Sequence, residues 1–165
     1  MKSWIAKHSI ALSLLLVVAV MAMIFGFSAQ TGEESGAMSG RITTWVLGIV
    51  IPDFESMSTA QQQELSAIAG LLVRKLAHFS EYALLGYALL LHIRQIQKRI
   101  TVRLTWLWAW SIGTLYAVTD ELHQGLVAGR GPAVTDVLID SAGVIAGVLL
   151  MLLCIRLKAK TQRGV

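Results

Sequence analysis

An uncharged apolar run near the start of the chain limits what this sequence can fold into. Residues 9–27 contain no charged side chain and consist mainly of Leu, Val, Ala, Met, Ile and Phe. A helix crosses the hydrocarbon core of a bilayer, about 30 Å thick, with about 20 such residues. The run therefore predicts a transmembrane helix.

Three later runs are also apolar enough to predict spans, at residues 76–93, 104–121 and 134–155. The second of these begins with Trp106, Trp108 and Trp110, and tryptophan is enriched at membrane interfaces. Only 15% of the residues are charged, whereas soluble domains carry about a quarter. We therefore predict an all-α membrane protein, a bundle of four transmembrane helices that forms a single domain over residues 1–165.

The basic residues predict the orientation of the spans. Ten Lys and Arg residues fall on the side that holds both termini and the 94–103 connection, and four fall on the other side. Basic residues concentrate on the cytoplasmic side of membrane proteins. All ten acidic residues lie in the opposite half. We therefore expect an inner-membrane protein with both termini in the cytoplasm, and we interpret the net charge of +4 as a topology signal rather than a nucleic-acid surface.

Residues 28–74 are predicted to form a long outer loop with helical parts. The stretch 45–51 is apolar but too short to span, and Pro52 follows it, so it favours an interfacial or re-entrant helix. Residues 59–72 predict a further helix that is capped by Ser58 or Thr59 and leads into the second span.

Polar residues occur at the outer end of all four predicted spans, which is the main indication of a functional site. A charge at the bilayer centre costs at least ~2.5 kcal/mol, so such groups are kept for mutual pairing or for a function. In chain order the residues are Ser28, Gln30, Arg74, Lys75, His78, Glu81, Tyr82, Asp120, Glu121, His123, Gln124, Arg130, Asp136 and Asp140.

Helical spacing places several of these side chains on shared faces. Lys75, His78 and Tyr82 are three and four residues apart, so they lie on one face of the second span, with Glu81 beside it. His123 and Gln124 follow Asp120 by three and four residues at the end of the third span, so these three side chains also share a face. We expect His78, Glu81, Asp120, His123, Arg130 and Asp140 to converge in one pocket that opens outward.

A stripe of small residues continues the face of the two aspartates in the fourth span. Asp136, Asp140, Gly143 and Gly147 follow one another at intervals of four, three and four residues. Small residues allow another helix to approach closely. We therefore predict that both aspartates face the interior of the bundle.

With these residues in view, the chain resembles the VanZ-like family of small bacterial membrane proteins, over nearly its whole length. One departure is Ala128, where a proline commonly precedes the Gly-Arg pair. The family is associated with resistance to the glycopeptide antibiotic teicoplanin, so the resemblance implies a bacterial cell-envelope protein, but it supplies no reaction. The matching pieces are residues 27–30, 74–82 (Arg74 to Tyr82), Leu85, Gly86, Tyr116, residues 120–124, Gly129, Arg130, Asp136, Asp140 and Gly143.

Our leading hypothesis is an outer-leaflet site for an anionic lipid-linked or cell-wall ligand, such as a polyprenyl phosphate. Arg74, Lys75 and Arg130 would bind phosphate. The candidate acid–base residues are His78 or His123, oriented by Glu81, Asp120 or Glu121. The remaining candidate ligand-binding residues are Ser28, Gln30, Tyr82, Gln124, Asp136 and Asp140.

Two alternatives remain open at this point. The first is a membrane-embedded metal-dependent hydrolase with ligands from 78–81 and 120–123, although neither stretch has the paired-histidine HExxH arrangement. The second is a non-catalytic protein in which the polar residues are a structural network or a partner surface. Whether the protein is an enzyme, its cofactors and its oligomeric state are not predicted. Membrane lipids are the expected partners.

Overall fold

The part of the chain that the structure describes forms five α-helices. The computed structural model describes residues 2–97 and 102–163, with side chains for residues 8–97 and 104–161. The described residues contain no β-strand, so the predicted all-helical class is confirmed. Lys98 and Arg99, and the side chains of Lys2, Lys7, Arg103 and Arg163, which contributed to the predicted topology, lie outside these ranges. The helices are α1 (Lys2–Ser28), α2 (Gly32–Val50), α3 (Thr59–Ile96), α4 (Val102–Gln124) and α5 (Val134–Arg163), with a short 3-10 helix at Phe54–Ser56.

Three stretches of helix are long and apolar enough to cross a membrane within the part of the chain that the structure describes. They are His8–Ser28, Thr59–Ile96 and Val134–Thr161. Helix α4 contains the predicted span 104–121 and is long enough, but its tryptophans and the acidic pair at 120–121 lower its mean hydropathy. A helical membrane protein is therefore supported, whereas the count of four spans is not established by composition.

Residues 28–74, the predicted outer loop, are more helical than their sequence suggested. Helix α2 begins at Gly32 rather than near residue 45, because Thr31 forms a capping box with Glu34: the Thr31 hydroxyl accepts from the Glu34 amide (3.2 Å), and the Glu34 carboxylate accepts from the Thr31 amide (2.9 Å). The helix ends just before Pro52.

Helix α3 joins two predicted helices into one. Its N-cap is Ser58, as predicted, with Gln61 completing a second capping box. The predicted helix 59–72 and the predicted span 76–93 are continuous in this 38-residue helix. Gly70, in the first part of α3, lies beside Thr43 of α2, whereas the buried core residues of α3 lie between Tyr82 and Ile93.

Helix α2 buries polar residues and exposes apolar ones. Ser39, Thr43 and Leu47 are buried, and Thr43 lies beside Gly70 of α3. Both hydroxyls donate to carbonyls of their own helix, Ser39 to Gly36 (3.1 Å) and Thr43 to Ser39 (2.7 Å). In contrast, Ile42, Trp45 and Ile49 of the same helix are exposed. We call the pair formed by α2 and residues 59–72 of α3 the α2–α3 hairpin.

Helices α3 and α5 make the most extensive contact in the fold. A Cβ atom added at Gly143 would meet the backbone of Phe79, and one at Gly147 would meet the Ala83 carbonyl oxygen. These glycines therefore let the two backbones touch, as the predicted small-residue stripe requires. The buried core beside this contact includes Ile24, Leu85, Leu90, Val144 and Val148.

Candidate functional site

The predicted polar residues gather at one end of the bundle, which we call the polar end. It is formed by the ends of α1 and α4, the start of α5, residues 74–82 of α3 and the loop 125–133. A cavity of about 170 Å³ lies there between α1, α2, α3 and the loop. Its walls include Gln30, Arg74, His78, Glu81 and Arg130 from the predicted set, Ser35 and Ser39 of α2, and apolar Phe27, Met38, Ile42, Val73 and Ala77.

Two arginines from different elements line this cavity. Arg130 of the loop donates through Nη1 to the carbonyls of Phe27 (3.3 Å) and Ser28 (3.1 Å), which fixes it against the end of α1. Arg74 comes from α3, and its Nε atom is buried without a hydrogen-bond partner. One guanidinium is thus anchored and the other retains an unused donor.

The electrostatics of Arg130 show that the two arginines act on each other. Burial lowers the pKa of the Arg130 guanidinium, and the positive charge of Arg74 lowers it further. The carboxylates of Asp120, Glu121 and Asp136 act in the opposite direction. Arginine stays protonated in either case. The two like charges therefore face a shared space whose occupation by an anion would relieve their repulsion.

The loop that carries Arg130 is held on both sides. Gly129 has a positive φ of 74°, which glycine adopts without strain. The Gly32 amide donates to the Ala128 carbonyl (3.0 Å), and a Cβ at Gly32 would meet the backbone of Gly129. At the other end, the Ala133 amide donates to Glu121 Oε1 (2.6 Å). The loop is therefore attached to α2 and α4 although proline is missing at position 128.

Two polar contacts link α3 to α5 beside the cavity. Lys75 forms an ion pair with Asp136. The Nδ1 atom of His78 lies 3.7 Å from Oδ1 of Asp140. Asp140 is fully buried, as predicted, and neither of its oxygens has a hydrogen-bond partner.

A separate hydrogen-bonded group connects α1 to α4. Asp120 Oδ2 accepts from the Ser28 hydroxyl (2.8 Å) and from the Gln124 amide (3.1 Å), and that amide also lies 3.2 Å from the Ser28 oxygen. All three residues are buried. Tyr82 is buried too, and its hydroxyl has no partner.

The predicted convergence of six residues is met only in part. His78, Glu81 and Arg130 line the cavity, and Asp140 lies directly behind His78. Asp120 does not line it, because its carboxylate is turned toward Ser28. His123 does not line it either: its ring stacks on Phe25, with ring centres 4.7 Å apart and planes inclined by 24°.

The described residues offer no ligand set for a metal. Among them, no three His, Cys, Asp or Glu side chains lie close enough together to hold an ion. The histidines of the two stretches considered for a metal-dependent hydrolase have different neighbours. His78 approaches Asp140, whereas the ring of His123 stacks on Phe25.

Sequence reasoning missed the contribution of α2 to the cavity. Ser35 and Ser39 line it, together with apolar residues of the same helix. The available signal was Thr31-x-x-Glu34, a capping-box pattern that predicts a helix starting at residue 32. With that start, the four-residue interval between the serines places them on one helix face.

The fold and the polar end define a helical membrane protein with a cavity that is both cationic and apolar. The sequence profile of the VanZ/LLP1 family matches residues 13–155, which is most of the chain. The chain therefore belongs to the VanZ/LLP1 family. No curated protein has a significant match to it. No solved structure has one either.

Proposed function

We propose that the protein binds the phosphate-bearing headgroup of an anionic lipid or lipid-linked cell-wall precursor in the cavity at its polar end. The observation that carries this proposal is that Arg74 and Arg130, from different elements, line the same cavity. Guanidinium groups bind phosphate oxygens through two parallel hydrogen bonds. Arg74 Nε is a buried donor without a partner, and burying an unpaired donor is costly unless a ligand satisfies it.

The remaining wall of the cavity supports an amphiphilic ligand. Met38, Ile42, Val73 and Ala77 provide apolar surface next to the arginines. At about 170 Å³ the space is smaller than the 300–1,000 Å³ of drug-sized pockets. It therefore suits a headgroup whose hydrocarbon chain stays in the bilayer.

The proposal includes a membrane arrangement. Helix α4 packs against α3 and α5, so it crosses the membrane with them as a fourth span, although it is less apolar. Both termini lie in the cytoplasm of a bacterium, because the basic residues concentrate there. The cavity then faces the outer leaflet, where cell-wall precursors are exposed, which agrees with the association of VanZ-like proteins with teicoplanin resistance.

Lipid binding by purified variants tests the site. Arg74→Gln and Arg130→Gln should each weaken binding of polyprenyl phosphate at least about tenfold, since a hydrogen bond to a charged group is worth about 1.5–3 kcal/mol. Phosphatidylglycerol serves as a second anionic probe and phosphatidylcholine as a neutral one. Added salt should weaken binding of the anionic probes.

The control is Arg41→Gln, which removes the same charge from an exposed position of α2. It should leave binding unchanged. Equal affinity of wild type and both cavity variants for the anionic lipids would show that the cavity is not the site. Preference for polyprenyl phosphate over phosphatidylglycerol would identify the cell-wall precursor as the ligand, and the reverse would identify a bulk phospholipid.

Cysteine labelling tests the orientation. In a background where Cys154 is replaced by Ser, Glu33→Cys and Glu55→Cys should react with an impermeant reagent on intact cells. Lys160→Cys should react only after permeabilisation. The reverse pattern would place the cavity on the cytoplasmic side.

A further inference from the structure

The two ring nitrogens of His78 lie in different surroundings. The ring lines the cavity, while Nδ1 is buried and lies 3.7 Å from the Asp140 carboxylate. The two atoms are too far apart for a hydrogen bond in this structure. A proton on Nδ1 would point toward the carboxylate, however, which favours the tautomer that leaves Nε2 unprotonated. Nε2 is then the nitrogen available to a molecule in the cavity, and it is a base.

Asp140 has the surroundings of a positioning residue. It is fully buried, and both of its oxygens lack a hydrogen-bond partner. A buried carboxylate without partners is strongly unfavourable. The His78 imidazole lies 3.7 Å away, and catalytic hydrogen bonds are often long in an unliganded site and shorten when a ligand binds. The backbone contact of Gly143 with Phe79 fixes α5 against α3 beside this pair.

From this geometry we infer that His78 is a catalytic base, positioned by Asp140, which activates water for hydrolysis of a lipid-linked pyrophosphate. The inference rests on the proposed function, because Arg74 and Arg130 must hold the phosphates. The residues that line the cavity suit a pyrophosphate anhydride better than a phosphate ester. Its leaving group is a phosphate anion, which departs without a proton, and each arginine can neutralise one phosphate.

The step balances with water as the only co-reactant. One proton of the water passes to His78 Nε2 while the water oxygen forms a bond to the terminal phosphorus. The bond from that phosphorus to the bridging oxygen breaks, and its electron pair stays on the bridging oxygen of the lipid monophosphate. The products are lipid monophosphate and inorganic phosphate. The proton on His78 then returns to solvent or phosphate, and Asp140 stabilises the imidazolium in between.

Phosphate release by the purified protein from a polyprenyl pyrophosphate in mixed micelles tests this inference. His78→Asn is the main variant, because its amide nitrogen occupies approximately the position of Nδ1 and can still donate to Asp140, whereas nothing replaces Nε2. Removing a general base should lower kcat about 10²-fold or more. Binding of the same lipid should stay within about twofold of wild type.

Asp140→Asn tests the positioning role through kcat and KM separately. Loss of the charged hydrogen bond to the imidazolium should lower kcat about 10- to 100-fold and leave KM unchanged. A structural role would instead lower the amount of folded protein and leave kcat per folded molecule unaltered. The matched control is His92→Asn, four turns further along α3, where Nδ1 bonds to Ser13 rather than to a cavity residue. It should hydrolyse at the wild-type rate.

The binding and turnover arms separate the two proposals. Wild-type protein that binds the lipid but releases no phosphate would overturn this inference and leave the proposed function standing. Wild-type protein that does not bind it would overturn both. Hydrolysis by His78→Asn at the wild-type rate, with His92→Asn as reference, would exclude His78 as the base. If Asp140→Asn does not fold, the His78→Asn measurement still decides.

Discussion

Buried polar side chains occur at the polar end and in the rest of the bundle, but their hydrogen bonding differs between the two regions. Away from the polar end, Ser13 bonds to His92 (2.9 Å), and the Tyr116 hydroxyl donates to the Met21 carbonyl (2.7 Å). At the polar end, Tyr82 and Asp140 are fully buried without partners for their side-chain oxygens. Among the described residues, all the buried unpartnered side-chain atoms except Oε1 of Gln95 belong to the polar end.

This difference separates buried polar groups that are hydrogen-bonded within the protein from buried polar groups that are not. The polar end contains both kinds, since Ser28, Asp120 and Gln124 are paired there. Buried polar groups in native proteins are nearly always hydrogen-bonded, and an orphaned group requires an explanation such as a ligand or a catalytic role. Residue type does not make this distinction: serine, histidine and tyrosine occur in the paired set, and histidine and tyrosine also occur in the unpaired one. The presence or absence of a partner does.

The largest expected effect concerns the helix contact on which both regions depend. Gly147→Val would place a side chain against the Ala83 carbonyl. Because the clash is with backbone, we expect a loss at or above the upper end of the usual 1–3 kcal/mol for overpacking, about 3 kcal/mol or more. The melting temperature in detergent measures it. Gly48→Ala in α2 is the control: its Cβ meets nothing within 4 Å, and the better helix former should stabilise slightly. Equal melting temperatures for the two variants would contradict the close α3–α5 contact.

The substitution Ser13→Ala tests the bundle away from the polar end, where the buried polar side chains are hydrogen-bonded. Ser13 is 3% exposed, and its loss would leave Nδ1 of His92 without a partner, which costs about 1–3 kcal/mol. Ser80→Ala removes a hydroxyl that is exposed and bonded only to its own helix at Leu76, and it should change stability by less than about 0.5 kcal/mol. A Ser13 variant as stable as the Ser80 variant would remove the contrast between the two regions.

Two tyrosines provide the sharpest comparison, because the same atom is removed from each region. Tyr116→Phe breaks a hydrogen bond and should lower stability by about 1 kcal/mol. Tyr82→Phe removes an unpartnered buried hydroxyl, so it should be neutral or stabilising. The signs of the two melting-temperature shifts decide the matter. Equal losses would mean that the Tyr82 hydroxyl has a partner in solution.

The smallest effect is expected where water can replace the missing partner, at the exposed cap of α2. The backbone amide of Thr31, followed by its hydroxyl, holds the pKa of the Glu34 carboxyl below its usual 4.5. Because the pKa of Glu34 is lower in the folded state than in the unfolded state, its ionised carboxylate stabilises the folded protein at pH values above 4.5. This stabilisation is lost as the pH falls through the folded-state pKa. The difference in melting temperature between wild type and Glu34→Gln should therefore shrink on acidification below 4.5. A difference in melting temperature that is constant with pH would contradict a stabilising role of the ionised Glu34 carboxylate.

The fold was predictable from the sequence where one residue pattern dominates. Apolar runs predicted the helices of the bundle, and the spacing of Gly143 and Gly147 predicted the face of α5 that contacts α3. The start of α2 was not predicted, because residues 32–44 are mostly small or polar and resemble a loop by composition. The local cap at Thr31 and Glu34 outweighs that composition.

The position of the polar residues along each span was predictable from the sequence. The direction in which each side chain points around its helix was not. Residue numbering along each span correctly gathered the polar residues at one end. Which of them share a cavity depends on the rotation of each helix and on its register against its neighbours. His78 and His123 are therefore indistinguishable by depth, yet one faces the cavity beside Asp140 and the other stacks on Phe25.

The continuity of α3 has a mechanical consequence. With 38 residues at about 1.5 Å each, the helix is about 57 Å long, nearly twice the ~30 Å thickness of the hydrocarbon core. No break separates the α2–α3 hairpin from the segment that carries Arg74 and His78. Because one unbroken helix contains both, a displacement of the hairpin would also move these two residues of the cavity wall.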